Sequence, residues 1–364
     1  MARFQAEILR STEQLRQFEF SWRELLASAH QPDLVNYPDW LLPWWEIFGP
    51  EGGRQLRCLV LRDESGVVGF APFLARTHWH GKAVPFRRLE FLASGEGEAD
   101  SICSEYLEVL ARAGREAEVA GELVRHLREG ALGPWDEVVL SMMPGDRPMA
   151  GLIMAEAVKC GWSASQSELM EAPYIPLPTS WESYLKSLTG TGRRQITRGT
   201  RLFEEWAGED WKIEYASEET LKKGQSILHS LHHDRWRDTG KGVFHSSKFL
   251  AFHETVMATL MKQGALDLCW LVVRSEPVSA MYFFRWNGKV SYYQAGRRLD
   301  VPQRIRPGGI LLYHAIRRAI EMGQKEFDFL GGKARFKMEL ALACRSLVEV
   351  RLARPGFREG IRKG

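Results

Sequence analysis

The sequence predicts a mixed α/β protein built from two copies of one unit, and three observations carry that reading. The chain has 364 residues, long for one domain and short for three. A β-hairpin, a further strand, a helix and an Asp-bearing strand occur in the same order in each half. Between the halves Pro144, Gly145, Pro148, Pro173, Pro176 and Pro178 cluster and mark a boundary. The units are accordingly expected at residues 1–145 and 176–355, with 146–175 as a connecting segment.

Each element rests on a local pattern. In the first half residues 55–62 read as a strand, Asp63-Glu64-Ser65-Gly66 as a turn, and 67–74 as the returning strand. In the second, residues 266–274 and 278–285 flank Ser275-Glu276-Pro277. Helices are expected over 113–129 and 309–322, the latter with Ile310, Leu311, Ile316 and Ile320 in a helical period. The strands after them, 133–140 and 323–330, carry Asp136 and Asp328. Thr179 or Ser180 caps a helix whose apolar face is Trp181, Tyr184, Leu185 and Leu188. After Gly190-Thr191-Gly192, Arg194, Arg198 and Arg201 recur at i, i+4 and i+7, and with Arg193 they make a positive stripe. Trp40, Trp44 and Trp45 read as core, with a sugar platform as the alternative, and His78-Trp79-His80 as a loop.

Composition sets the outer limits. Hydrophobic residues at 45% and charged residues at 26% describe a folded chain. The 49 Lys and Arg against 46 Asp and Glu leave a net charge of +3, which excludes a protein whose main task is coating a polyanion. Any anion site is therefore a local cluster. The longest apolar run, Leu266 to Trp286, is broken by Arg274, Glu276 and Pro277 and is not expected to cross a membrane. The first twenty residues mix charges and lack the apolar core of a signal peptide. Cys58, Cys103, Cys160, Cys269 and Cys344 are scattered and odd in number, which argues against a disulfide framework or a CxxC metal site. A cytoplasmic protein is expected.

Several ordered runs then converge. Trp181-Glu-Ser-Tyr-Leu-Lys-Ser-Leu188 is followed by Arg193-Arg194. His232-His-Asp-Arg235-Trp236 has Gly240 and Phe244 behind it. Tyr292-Tyr-Gln-Ala-Gly296 precedes Pro307-Gly308, Glu326-Phe-Asp328-Phe-Leu-Gly-Gly332 and Phe336-Lys337. The first half adds Pro38-Asp-Trp40, Trp44-Trp45, Gly69-Phe-Ala-Pro72 and Ser104-Glu-Tyr106-Leu107. As a set, over about residues 5–350, they resemble the CelD/BcsL-like branch of the GCN5-related N-acetyltransferase (GNAT) superfamily, which is related to the Fem-type aminoacyltransferases. The resemblance implies two tandem acetyltransferase-like units, each a mixed, mostly antiparallel sheet flanked by helices. It implies an N-acyltransferase that takes an acyl group from acetyl-CoA or a longer acyl-CoA, without a metal. The acceptor would be an amine of a small molecule or a glycan or cell-envelope precursor, and the attack direct, since no GxSxG nucleophile motif appears. Donor is expected in the C-terminal unit and acceptor in the cleft between units, the first unit binding acceptor or serving as scaffold. Two alternatives stand beside this: Fem-type transfer from aminoacyl-tRNA, and a non-catalytic binding protein.

Such an enzyme needs a pyrophosphate cradle, a splayed strand pair for the pantetheine arm, and a base. Arg304-Ile-Arg306-Pro307-Gly308-Gly309 precedes a helix whose start can supply the cradle. The superfamily's loop is Gln/Arg-x-x-Gly-x-Gly/Ala. Pro307 stands where the first Gly belongs and removes one N–H donor. The competing reading is a turn with solvated arginines. The resemblance implies that strands 290–295 and 326–330 diverge, with a backbone N–H near Tyr292 or Tyr293 facing the thioester oxygen. Tyr293 can protonate the leaving thiolate, or both tyrosines simply pack. His232 is the candidate base, expected to face the inter-domain cleft within reach of Tyr293, or else it lines a cleft. His229, His232 and His233 have metal-like spacing, but no further ligand emerges, and no metal is expected. Asp328 is either catalytic or the brace of the Gly331-Gly332 turn, with Lys337 as its partner or a phosphate ligand. Arg193, Arg194, Arg198 and Trp236 are candidate acceptor contacts, the arginines alternatively a solvated face or, in the Fem-type case, a tRNA contact.

Overall fold

The computed structural model describes residues 4–49, 51–81, 83–236, 242–302 and 304–355, without the side chains of Arg235 and Trp236. The chain divides into two compact units, one running to Glu171 and resuming at Arg345, the other Ala172–Cys344. This differs from the expected 1–145, 146–175 and 176–355. The supposed connecting segment is a helix and a long strand, and the chain's last strand belongs to the first unit. The prolines misled because they sit at element ends: Pro148 is a helix N-cap, and Pro144 and Pro176 end strands.

In chain order the first unit begins with β1 (Gln5–Leu9), α1 (Thr12–Gln17), α2 (Glu19–Ser28) and α3 (Pro38–Phe48). Five strands follow: β2 (Gln55–Leu56), β3 (Cys58–Asp63), β4 (Gly66–Ala71), β5 (Phe73–His80) and β6 (Val84–Phe91). Then come β7 (Leu110–Ala111), α4 (Glu116–Glu129), β8 (Glu137–Pro144), α5 (Met149–Lys159) and β9 (Ser163–Pro176), whose end reaches the second unit. That unit continues with α6 (Trp181–Ser187), α7 (Gly190–Ala207), β10 (Trp211–Tyr215), α8 (Leu221–Trp236) and α9 (Ser247–Lys262). It closes with β11 (Leu266–Val273), β12 (Glu276–Trp286), β13 (Lys289–Arg297), α10 (Pro307–Glu321), β14 (Glu326–Asp328) and α11 (Arg335–Leu340), before β15 (Ala343–Ala353).

The two units repeat one plan. In the second, β10 to β13 pair antiparallel in sequence order, and β14 then lies parallel to β13 after the α10 crossover. A parallel neighbour requires such a crossover. In the first, β3 and β4 form the hairpin, β5 and β6 pair antiparallel, and β8 lies parallel to β6 after α4. Pro72 divides the returning hairpin strand into β4 and β5, which join different sheets. The architecture is the expected α/β one: mixed, mostly antiparallel sheets flanked by helices. His78-Trp79-His80 is not a loop but the end of β5, paired with Phe86, Pro85 and Val84.

Alternation along β11 and β12 gives the second unit two faces. Leu271, Met281 and Phe283 pack with Phe203 of α7 and Leu311 and Ile316 of α10. Leu268, Trp270 and Tyr282 turn toward α8 and α9: a Cβ on Gly224 of α8 would lie 2.9 Å from Leu268 and Trp270. In the first unit α3 buries Trp40, Trp44 and Trp45, as their spacing predicts; the indole of Trp40 donates to Ser104 Oγ at 2.9 Å. Among the described residues no helix is long and apolar enough to cross a membrane.

Glu137 opens β8 with its side chain fully buried between Arg88 (2.7 Å) and Arg351 (2.9 Å). Burial pushes its carboxyl up, but the two guanidiniums outweigh it and hold it below the ordinary carboxylate range. A depressed carboxyl stabilises the fold above its unfolded pKa and loses that contribution as pH falls. Glu137→Ala, which removes the anion shared by two part-buried guanidiniums, should cost about 3–5 kcal/mol in urea unfolding at pH 7. Its deficit relative to wild type should narrow as pH drops below about 4.5; a deficit independent of pH would assign the loss to packing.

Candidate active site

β13 and β14 stay together over only three pairs, Lys289–Glu326, Val290–Phe327 and Ser291–Asp328, and then part. On its other edge β13 slips register: Gln294 faces Tyr282, whereas Tyr292 faces Phe283. Tyr293 is thus the extra residue of a β-bulge, which bends a strand and strengthens its twist. Beyond the parting lies a cleft of about 610 Å³ on the α10 face, lined among others by Met281, Tyr292, Phe336 and Leu340. Its polar end is built by Arg297, Arg306, Gly308 and Gly309, where α10 starts with Arg306 as N-cap and Pro307 in the first turn. The N–H of Gly309 donates to Arg306 O at 2.9 Å, while that of Gly308 has no partner among the described residues. Arg304 is exposed but does not line the cleft; Arg297, which sequence reasoning passed over, supplies the second guanidinium. Its signal was its place just beyond the Gly296 that ends the Tyr292 motif.

The opposite face of β13 carries the histidines. Gly296 lets α8 lie directly on the strand: a Cβ there would stand 2.4 Å from the backbone nitrogen of His232 and 2.6 Å from the Leu231 carbonyl carbon. That approach brings His232 Nδ1 to 3.0 Å from the Ala295 carbonyl. A carbonyl only accepts, so Nδ1 carries the hydrogen, and in the neutral ring Nε2 is the acceptor. His232 is buried, with Phe244 edge-on at 4.8 Å, and lines a cavity of about 260 Å³ with His229, His233, His245 and Leu250.

Two residues before Ala295, the Tyr293 hydroxyl lies 2.9 Å from Nε2 of His253, a buried residue of α9. Burial, with His229 nearby, holds His253 well below the ordinary imidazole range, so it is neutral at pH 7. Sequence reasoning missed His253. Its signal was a single ionisable residue in the otherwise apolar stripe Phe249, Phe252, Val256, Met257 and Leu260.

Asp328, Lys337 and the arginines of α7 do not line the cleft. Asp328 is fully buried, pairs with Lys289 at 3.5 Å and accepts the Leu330 N–H at 2.7 Å, where Leu330 has φ +57°. A closed-off carboxylate bracing a left-handed turn has no path to a substrate proton. Lys337 does not meet it but donates to the carbonyls of Leu330 (3.3 Å) and Gly331 (2.6 Å). Arg193 turns back on α6, donating to the Leu185 carbonyl at 3.0 Å and satisfying a helix end. Arg194 donates to Gly190 O at 3.1 Å, and Arg198 is exposed. The Trp236 side chain and Gly240 lie outside the described residues. Among those described, no group of three or more His, Cys, Asp or Glu is arranged to hold a metal ion.

Residues 190–338, which contain the cleft, α8 and the parting strands, match the family described as "Acetyltransferase (GNAT) domain". The match spans less than half of the chain and supports an acyltransferase. The fold is shared with FemX, 10% identical over 99% of both chains at a TM-score of 0.63. It is also shared with the C-terminal domain of a putative lysylphosphatidylglycerol synthetase from Agrobacterium fabrum, 10% identical over 97% of this chain and 96% of that one, TM-score 0.53. L-PGS from Bacillus licheniformis is similar at 13% identity over 92% of this chain and 96% of that one, TM-score 0.51. At such identities the likeness concerns the fold. No curated protein matches the sequence.

Because the Gly296 contact is with backbone, which cannot swing aside, Gly296→Ala must push α8 off β13. It should cost about 1–3 kcal/mol in denaturant unfolding, as overpacking does, whereas Gly309→Ala, whose Cβ would meet only Tyr313 at 3.4 Å or more, should leave stability nearly unchanged.

Proposed function

We propose that the second unit moves an acyl group from an acyl-CoA thioester to an amine. The observation that carries this reading is the parting of β13 and β14 beside a cleft whose polar end is a helix start with Arg297 and Arg306. A pantetheine arm is a chain of amides that needs an open strand edge, and a pyrophosphate needs backbone N–H groups and cations. The cleft offers both. Within the superfamily we assign the CelD/BcsL-like branch on the quoted motifs, with an amine on a glycan or cell-envelope precursor as acceptor.

In this reading the thioester lies in the gap between the strands, and the amine arrives from the α8 and α9 side. The nitrogen lone pair forms the C–N bond as the C–S bond breaks. His232 Nε2 takes the proton that nitrogen sheds, and the Tyr293 hydroxyl gives one to the thiolate. Both groups are reset by exchange with water, so amide and thiol leave with protons balanced. Holding donor and amine together supplies several kcal/mol more.

Calorimetry should register acetyl-CoA or a longer acyl-CoA. Gly309→Asp places a carboxylate where the phosphate would sit and should abolish that binding while the melting curve stays in place. A wild type that ignores every acyl-CoA and free CoA would move aminoacyl-tRNA ahead as donor. For the base, His232→Ala should lower turnover roughly 100-fold or more and leave donor affinity nearly unchanged. Full activity in that variant would remove His232 from the reaction.

A further inference from the structure

We infer that His253 is a positioning residue for acyl transfer: through its bond to the Tyr293 hydroxyl it fixes the proton donor that serves the departing group. The inference rests on the acyl-transfer reading above but not on which donor is used, because a thiolate leaving from acyl-CoA and an alkoxide leaving from an aminoacyl ester both need a proton at the same place.

The geometry is specific. Tyr293 is the bulged residue at the point where β13 leaves β14, so its backbone is already set apart from the regular ladder. A phenol on a bulge has rotational freedom unless something holds its tip, and His253 Nε2 is 2.9 Å from that tip. The imidazole in turn is clamped on several sides. Phe249 lies 4.3 Å away centroid to centroid, Phe252 4.9 Å, Tyr282 5.7 Å and Tyr293 itself 4.7 Å. His253 is 1% exposed, so it meets no substrate directly and acts only through the tyrosine. A histidine placed there merely to fill space would be an expensive choice in an apolar stripe, since burying an imidazole costs free energy that a phenylalanine would not.

The test is a cycle of variants in the full chain. Turnover is read by release of thiol or deacylated tRNA with a panel of amines, using whichever donor the wild type accepts. Donor affinity is measured separately by calorimetry, so loss of the donor reading and loss of this inference give different patterns. His253→Phe keeps the ring packing and deletes the bond. It should lower kcat on the order of 100-fold, as a misplaced catalytic group does, with KM and donor affinity unchanged. Tyr293→Phe should fall by a similar factor, on the order of 100-fold, and the double variant should be no worse than either alone, because the two act as one unit. His253→Gln, whose amide can reach the same hydroxyl, should restore most of the loss. A His253→Phe enzyme with wild-type kcat, or losses that simply multiply in the double variant, would overturn the inference. So would a His253→Gln enzyme that melts like wild type and turns over no faster than His253→Phe.

Discussion

Where β13 lets go of β14 decides what the second unit can do. Three backbone pairs hold the strands from Lys289 to Ser291, and the bulge at Tyr293 turns the rest of β13 away. Past the parting β13 runs on along the cleft as far as Arg297, and Tyr293 is the bulged residue there. The strands part only because each has another partner. β12 continues to pair with β13 as far as Arg297, and β9 takes β14 through Tyr174, Ile175 and Pro176. Asp328 supports the same point from within: its buried carboxylate, tied to Lys289 and the Leu330 N–H, secures the last paired rung and the turn that follows.

The helices then inherit their placement from that strand. Gly296 admits the α8 backbone, and only a helix this close can bring His232 to the Ala295 carbonyl. The two faces of β13 therefore carry different chemistry. The α10 face offers cations and a helix start, which suit an anion; the α8 and α9 face offers imidazoles and a phenol, which suit proton transfer. A single strand separates them.

Much of this was legible in the sequence because it is local. Turn residues between β-branched runs located both hairpins, and the helical period located α10 and α4 within a few residues. Gly308 and Gly309 ahead of Ile310 marked a helix start that proves to line the cleft. What escaped notice depends on distant pairing. The slip at Tyr293 is a relation between β13 and β12 that Tyr292-Tyr293-Gln294 alone does not encode. His253 reads as one polar residue in a buried stripe until Tyr293, forty positions away, is brought to it. Lys337 and Asp328 look like natural partners nine residues apart, yet the turn between them offers Lys337 two carbonyls first. The final strand's return to the first unit has no local signature at all.

The repeated plan sharpens the contrast between the units. Both place a helix between two parallel strands, and in both the start of that helix is the natural seat for an anion, through its N–H groups and dipole. In the first unit that seat is already taken by the chain itself. Glu116 and Glu118 stand in the first turn of α4, the N–H of Gly114 donates to Glu116 at 3.1 Å, and Arg115 is held by Glu118 at 2.6 Å and Asp63 at 2.9 Å. An incoming phosphate would meet two carboxylates and a guanidinium with its charge satisfied. In the second unit the first turn of α10 has no acid, Gly308 and Gly309 leave no side chain in the way, and exposed Arg297 and Arg306 stand at its mouth. One architecture thus carries opposite electrostatics at the same element. On the acyl-transfer reading proposed above, that difference favours donor binding by the second copy over the first.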